Sequence, residues 1–363
     1  MIIKDIRTTA LSIPFTDPPR WSLDYNRPRE ILVVEIETTS GLTGMGYLMV
    51  LSGGLRTIKT CIEELLFPVV LGRSIWEVEA IWQDIWKSTY WVGRMGVTVF
   101  AQSAIDIALW DALGKRAGLP LYKLWGGAQG GSALPAYGSG CWRGLGQGGM
   151  IEKALAYVEA GFDAIKMQTG HMHSHAEDVA NVAAMREALG DDIAIMVDVN
   201  MGWTTDEAIE VGRRLDQYNI HWLEEPIVAE NFAGYFRVAD ALETRVVGGE
   251  SHFTHHDLAP FFETPKIPIL QPDMMRGGLT QLRRIATLAD ARGIRIAPHL
   301  FHEIMVHLNA AIPNPDVLEY INFLDDVWVK PVLPAGNLLT PSEQPGHGLA
   351  FKEEVLRDFA VTL

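Results

Sequence analysis

The sequence predicts an α/β protein in which a (β/α)7β TIM-like barrel lies under an α+β capping domain. Three observations carry that prediction. Ile195–Asp198 reads as a short buried strand ending in a carboxylate, and similar strand ends recur at Trp222–Glu224 and Val247–Glu250. The intervals Asp198 to Glu224 and Glu224 to Glu250 are both 26 residues, about the length of one strand, one helix and two short loops. Side chains from successive βα units converge only when the units are wound about one axis, and barrel chemistry sits at the carboxyl ends of the strands. Residues 1–125 lack this rhythm and run strands first, then helices, the pattern of an α+β domain.

Within that first domain, Ile2 to Ile13 alternates like a strand, and 30–37 with 42–49 form a hairpin around Thr39, Ser40 and Gly41. Helical patterns follow near 54–67, 75–88 and 97–117. The last is Ala-rich and apolar on most sides, so it is expected to be buried. The barrel occupies 126–325, with strands near 133–138, 163–167, 193–198, 220–224, 246–250, 267–271, 294–298 and 316–320. Helices are expected at 148–160, 175–189, 205–217, 230–242, 255–262, 278–292 and 301–311. Residues 326–363 leave the rhythm and are expected to return to the capping domain.

Composition narrows the class of function. Lys and Arg number 30 against 45 Asp and Glu, a net −15, which argues against a nucleic-acid surface. An anionic substrate then needs local cations. No apolar run reaches the roughly 18 residues of a membrane helix, so no membrane is expected. The N-terminus lacks a signal-peptide pattern, and only Cys61 and Cys141 are present. A cytoplasmic enzyme is the plain reading.

The three acids are hard oxygen donors on rigid strand ends. With no Cys or His among them they suit Mg²⁺, or Mn²⁺, rather than Zn²⁺. Glu225 follows Glu224 and points to the other side of its strand. The sixth and seventh strands end in Asp273 and His299, again 26 residues apart. A carboxylate on one imidazole nitrogen fixes the tautomer and raises the basicity of the other, which makes a general base. Lys166 and Gln168 share one side of the second strand. The ammonium of Lys166 either pairs with metal ligands or meets a substrate carboxylate; a plain salt bridge to Glu250 or Asp198 is the alternative. Glu319 ends the eighth strand and could hydrogen-bond an enediolate if burial raises its pKa. Tyr137, Ser139, Arg143 and Asn200 are placed to orient a polyol. His302 and His307 read as surface residues, Trp203 and Trp222 as core or wall, and the His171–His175 run as a solvated loop.

These pieces together resemble the enolase superfamily, and within it the mandelate racemase group. The matching segments are 166–168, 197–200, 223–226, 249–250, 272–273, 298–301 and 318–319, spread over nearly the whole barrel. The resemblance implies Mg²⁺ on Asp198, Glu224 and Glu250, the dyad Asp273–His299, an enolate-facing Glu319, and a small-molecule carboxylate substrate. It implies capping loops over that substrate, here 15–26, with Arg20 and Trp21, and 49–54. Members are often dimers or octamers, so a homo-oligomer is expected.

One departure matters. Racemases of the group carry Lys-x-Lys at the second strand, where this chain has Gln168. An amide takes no proton at neutral pH. The resemblance therefore implies a sugar-acid dehydratase, which works with one base and yields a 2-keto-3-deoxy acid. A racemase or epimerase of a 2-hydroxy acid is the alternative, with Lys166 swinging as second base. A non-catalytic carboxylate-binding barrel is the third.

Overall fold

A computed structural model describes residues 1–21, 27–51, 53–128 and 133–363. The capping sheet is antiparallel: β1 (Ile3–Ile13), β2 (Arg29–Thr38) and β3 (Thr43–Val50) lie in chain order. The turn between β2 and β3 closes through Thr38 N–H to Leu42 O at 2.9 Å, with Gly41 at φ 81°, a conformation that favours glycine. The last strand of the chain, Ala360–Val361, pairs antiparallel with β1, Ala10 opposite Val361.

The helix Val97–Ala117 lies against this sheet. It is long and apolar enough by length and hydropathy to cross a membrane, although the sequence shows no uninterrupted apolar run of that length. Its buried residues cover nearly all of its circumference, so it is a core helix between sheet and barrel. Gly44 and Gly46 of β3 permit the contact: a Cβ on Gly46 would stand 2.1 Å from Ala104 O, and one on Gly44 2.2 Å from Ala108 O. On its barrel side, Asp106 accepts from Thr280 N at 2.9 Å and Thr280 Oγ1 at 2.5 Å, and Ser103 Oγ accepts from Gly277 N at 2.9 Å.

The barrel strands are β4 (Leu134–Cys141), β5 (Ala164–Gln168), β6 (Ala194–Asp198), β7 (Trp222–Glu224), β8 (Val246–Val247), β9 (Ile269–Leu270), β10 (Arg295–Ile296) and β11 (Leu318–Tyr320). The parallel order is β11-β4-β5-β6-β7-β8, with β9 and β10 a parallel pair. Bridges Gly248–Leu270 and Ile296–Pro315 carry the ring past the short strands. β12 (Leu338–Leu339) adds antiparallel to β4, and Ala360–Val361 is β13. The expected helix at 255–262 is instead two short ones, Thr254–Asp257 and Ala259–Glu263. Pro260, at the start of the second, has no N–H to continue the first.

One layer inside the barrel explains how the site is placed. Tyr137, Ala164, Met196, Trp222, Val247, Ile269 and Ala297 form a closed apolar cluster, with Val317 packed on it. Each of the cluster residues lies on, or one residue past, its barrel strand. Two residues further on, on the same face, come Ser139, Lys166, Asp198, Glu224, His299 and Glu319. The apolar layer is a floor, and the polar residues stand above it at the carboxyl rim.

Arg29 of β2 ties cap to barrel. Its buried guanidinium donates to Asp326 at 2.5 and 2.9 Å, to Phe323 O at 2.7 Å and to Pro14 O at 2.8 Å. Hydrogen bonds to an ionised group are among the stronger ones, and these hold the 323–326 loop against the capping sheet.

Candidate active site

Asp198 and Glu224 end neighbouring strands in register, and Glu250 follows β8 after Gly249, whose φ is 126°. All three are shielded from solvent by the rim. Glu224 Oε1 accepts from Lys166 Nζ at 2.6 Å, and its Oε2 from Trp222 Nε1 at 2.9 Å. Asp198 accepts from Asn200 N at 2.9 Å and Asn200 Nδ2 at 2.8 Å. Glu250 Oε2 is buried without a hydrogen-bond partner. Burial pushes Glu224 up to about 8, with Asp198 and Glu250 adding to it against Lys166. Burial, then Glu225 and Asp198, pushes Glu250 up to about 7 against His299. Among the described residues no three acid, imidazole or thiol groups already form a closed ligand set; Glu224 is turned aside toward Lys166. The donor chemistry nonetheless fits a hard divalent ion, because crowded buried carboxylates with an orphan oxygen lack positive charge.

His299 faces this group from the next strands. Its Nδ1 is 2.8 Å from Asp273 Oδ2, and its Nε2 is 3.5 Å from Glu250 Oε2. The second oxygen of Asp273 accepts from Met275 N at 2.6 Å. Burial opposes a charge on His299. Glu250, the Asp273 hydrogen bond and Glu319 outweigh it and raise the imidazole to about 10.

Lys166 Nζ also stands 3.0 Å from Glu319 Oε1. Burial disfavours its charge, but Glu224 and Glu319 override that and hold it as an ammonium well above the usual lysine range. Gln168 Nε2 donates to Asn200 Oδ1 at 2.9 Å, and Arg143 Nη2 donates to the same oxygen. Gln168 Oε1 has no partner. Arg143, Gln168 and Asn200 thus form a chain of donors ending on Asp198, which fixes the orientation of that carboxylate.

Above the rim lies a cavity of about 540 Å³. Lys166, Gln168, Asp198, Glu250, His299 and Glu319 face into it at its base. Trp21 and Leu51 of the cap meet Trp142 and Phe323 of the barrel loops at its side. Trp142 stacks on Phe323 (centroids 5.9 Å, 10° between planes), and Trp21 meets both edge-on at 5.6 and 6.3 Å. Asn200, Met201 and Leu300, all lining residues, hold positive φ of 48°, 62° and 50°. Such strain concentrates at working sites.

Comparison with known proteins decides the family. The N-terminal domain of mandelate racemase / muconate lactonizing enzyme matches residues 5–126, and an enolase C-terminal domain-like unit matches 149–355. The chain belongs to the enolase superfamily, mandelate racemase group. It is 33% identical, over 99% of its own length and 100% of the relative's, to a 3,6-anhydro-alpha-L-galactonate cycloisomerase of Streptomyces coelicolor. Its fold matches a racemase from Streptomyces coelicolor A3(2) with bound magnesium (TM-score 0.93, 33% identity, 99% and 100% covered). It also matches an L-talarate dehydratase from Polaromonas sp. JS666 complexed with Mg and L-glucarate (TM-score 0.90, 28% identity, 99% and 98% covered). The protein is an enzyme of this superfamily with Mg²⁺ as its cofactor, the ion that these solved relatives hold.

Several expectations for this superfamily member need correction. Tyr137 does not face the substrate: β4 runs on to Cys141, so Tyr137 lies in the floor, edge-on to Trp222 at 5.5 Å. Trp222, expected as core or wall, is part of that floor. Arg143 is fully buried behind Asn200 and does not line the cavity. Arg20 is exposed and does not line it; its backbone O accepts from Gly144 N at 2.8 Å. Trp21 and Ser139 do line it. Residues 22–26 and 52 of the expected capping loops lie outside the described residues. Lys166 does pair with one expected metal ligand, Glu224, and also with Glu319; the alternative bridge to Glu250 or Asp198 is not formed. Glu319 is not raised: burial would lift it, but Lys166, His299, Leu300 N–H and Ser139 bring it down to about 2, so it accepts hydrogen bonds. His302 and His307 are buried, donating to Val332 O at 3.1 Å and His347 O at 3.2 Å. The His171 loop is not merely solvated, because His171 donates to Asn200 O at 2.8 Å and lines the cavity. Trp142 and Phe323 were not anticipated; both follow strand ends that the alternation pattern leaves undefined.

Proposed function

We propose that the protein is a Mg²⁺-dependent dehydratase of a sugar acid, removing the α-proton and then the β-hydroxyl to give a 2-keto-3-deoxy acid. In this reading Asp198, Glu224 and Glu250 hold the ion. When bound, the ion supplies a Lewis acid for the substrate carboxylate and takes up the Glu250 charge that otherwise keeps His299 protonated. His299 Nε2 accepts the α-proton, with Asp273 holding Nδ1–H. The resulting imidazolium then protonates the departing β-hydroxyl. Lys166 keeps a fixed positive charge at the rim, where negative charge develops on the substrate carboxylate. Gln168 Oε1 accepts from a substrate hydroxyl, and Asn200 keeps Asp198 aimed at the rim.

The observation that carries the reading is the pair of side chains, Lys166 and Gln168, that the second barrel strand sets across the rim from His299. Opposite His299 stand an amide and a lysine bound to two carboxylates within 3.0 Å. A racemase needs a base on each face of the carbon; a dehydratase needs one. The test is a library of acid sugars with Mg²⁺ in deuterated water. Loss of water with a semicarbazide-reactive product supports dehydration. Deuterated epimer without loss of water transfers the assignment to a racemase. His299→Asn is expected to abolish turnover while retaining Mg²⁺ affinity.

A further inference from the structure

The upper cavity differs in chemistry from its base. At the side, Trp21, Leu51, Trp142, Val228, Ile321 and Phe323 present carbon. Among the described lining residues the cationic groups are Lys166 and His299, both at the base and both engaged by carboxylates. The residues outside the description, 22–26, 52 and 129–132, contain no Lys or Arg. His171 is the remaining basic side chain among the described lining residues. Its Nε2 donates to Asn200 O, because a carbonyl only accepts, and that bond ties the ring to the loop after the third barrel strand.

The wall is also held from behind. Trp142 and Phe323 are stacked, Phe15 meets Phe323 edge-on at 5.3 Å, and the Arg29 clasp binds the carbonyl of Phe323 at 2.7 Å. Aromatic faces take the C–H face of a ring or another aromatic ring. A second carboxylate placed there loses its water and, among the described residues of that wall, meets no lysine or arginine.

We infer that the substrate is a monocarboxylate whose end remote from the reacting carbon is uncharged and lays a ring face against Trp21, Trp142 and Phe323. Dicarboxylates are rejected. This rests on the carboxylate-anchored site proposed above, and it selects one branch of the sugar acids that such a site accepts.

The experiment measures binding, so its result does not depend on which product forms. Isothermal titration of the Mg²⁺-loaded enzyme compares galactonate with galactarate, which differ only in the remote group. A third titration uses a cyclic monoacid of the same carbon count. The monoacid is expected to bind about 100-fold more tightly than the diacid, and the cyclic acid more tightly than the open one. Trp21→Ala, a change at a partly exposed ring, is expected to weaken the cyclic acid about tenfold. Leu51→Arg supplies the missing cation and is expected to improve diacid binding at least tenfold. Diacid binding as tight as the monoacid in the parent, with no gain in Leu51→Arg, overturns the inference alone. Failure of every acid to bind overturns the carboxylate-anchored reading beneath it.

Discussion

Asp273→Asn isolates the dyad without disturbing its shape. Both oxygens of Asp273 are in use, one on His299 Nδ1 at 2.8 Å and one accepting from Met275 N at 2.6 Å. An asparagine has one oxygen. The Met275 N–H is fixed by the turn Met274–Arg276, which Asp273 caps, so the amide oxygen goes there. The amide nitrogen then faces His299 Nδ1, which must become an acceptor, and the ring proton moves to Nε2. That nitrogen can no longer accept the α-proton. Loss of the correct tautomer in a comparable carboxylate–imidazole pair costs about 10⁴ in kcat, or ~5.5 kcal/mol of barrier. The assay is α-proton exchange in deuterated water alongside turnover, with the melting temperature and Mg²⁺ affinity measured on the same sample. Folding and metal affinity should be unchanged, with exchange down by about 10³ to 10⁴. Exchange within about tenfold of the parent would refute the assignment of His299 as a base positioned by Asp273.

Two predictions concern the scaffold. Burial and His347 drive His307 down to about 3, so folding stability from keeping it neutral is present above about pH 6.5 and lost as pH falls toward 3. At pH 4.5 the loss is ~3 kcal/mol; urea titrations of His307→Gln should show a correspondingly shallower decline between pH 6.5 and 4.5. Gly46→Ala places a Cβ 2.1 Å from Ala104 O and 2.8 Å from Ala108 N. Backbone contacts cannot rotate away, so it should destabilise by about 3 kcal/mol or more, seen as a lower urea midpoint with the slope unchanged.

The rim was legible because strand alternation has a period of two and the acids recur at one interval. Those facts alone put Lys166, Asp198, Glu224, His299 and Glu319 on one ring above an apolar floor. What pattern could not supply was where a strand stops. β4 extends past the expected 138 to Cys141, which sends Tyr137 down into the floor and brings Ser139 up to the rim. Partner choice was also hidden. Lys166 prefers Glu224 and Glu319 because those strands lie on either side of it in space, and that choice makes Glu319 an anion. The wall of Trp21, Trp142 and Phe323 comes from three segments far apart in sequence, closed by Arg29. No local period encodes such a meeting.

The most direct test of the account is Mg²⁺ titration of the parent and of Glu250→Gln across pH 6 to 9, followed by calorimetry. The parent should bind one ion, with affinity falling as pH drops below about 8 and 7, where Glu224 and Glu250 take up protons. Glu250→Gln should bind at least about tenfold more weakly and lose the lower of these two steps. Equal affinity in parent and variant at every pH would contradict the claim that these strand-end carboxylates hold the metal.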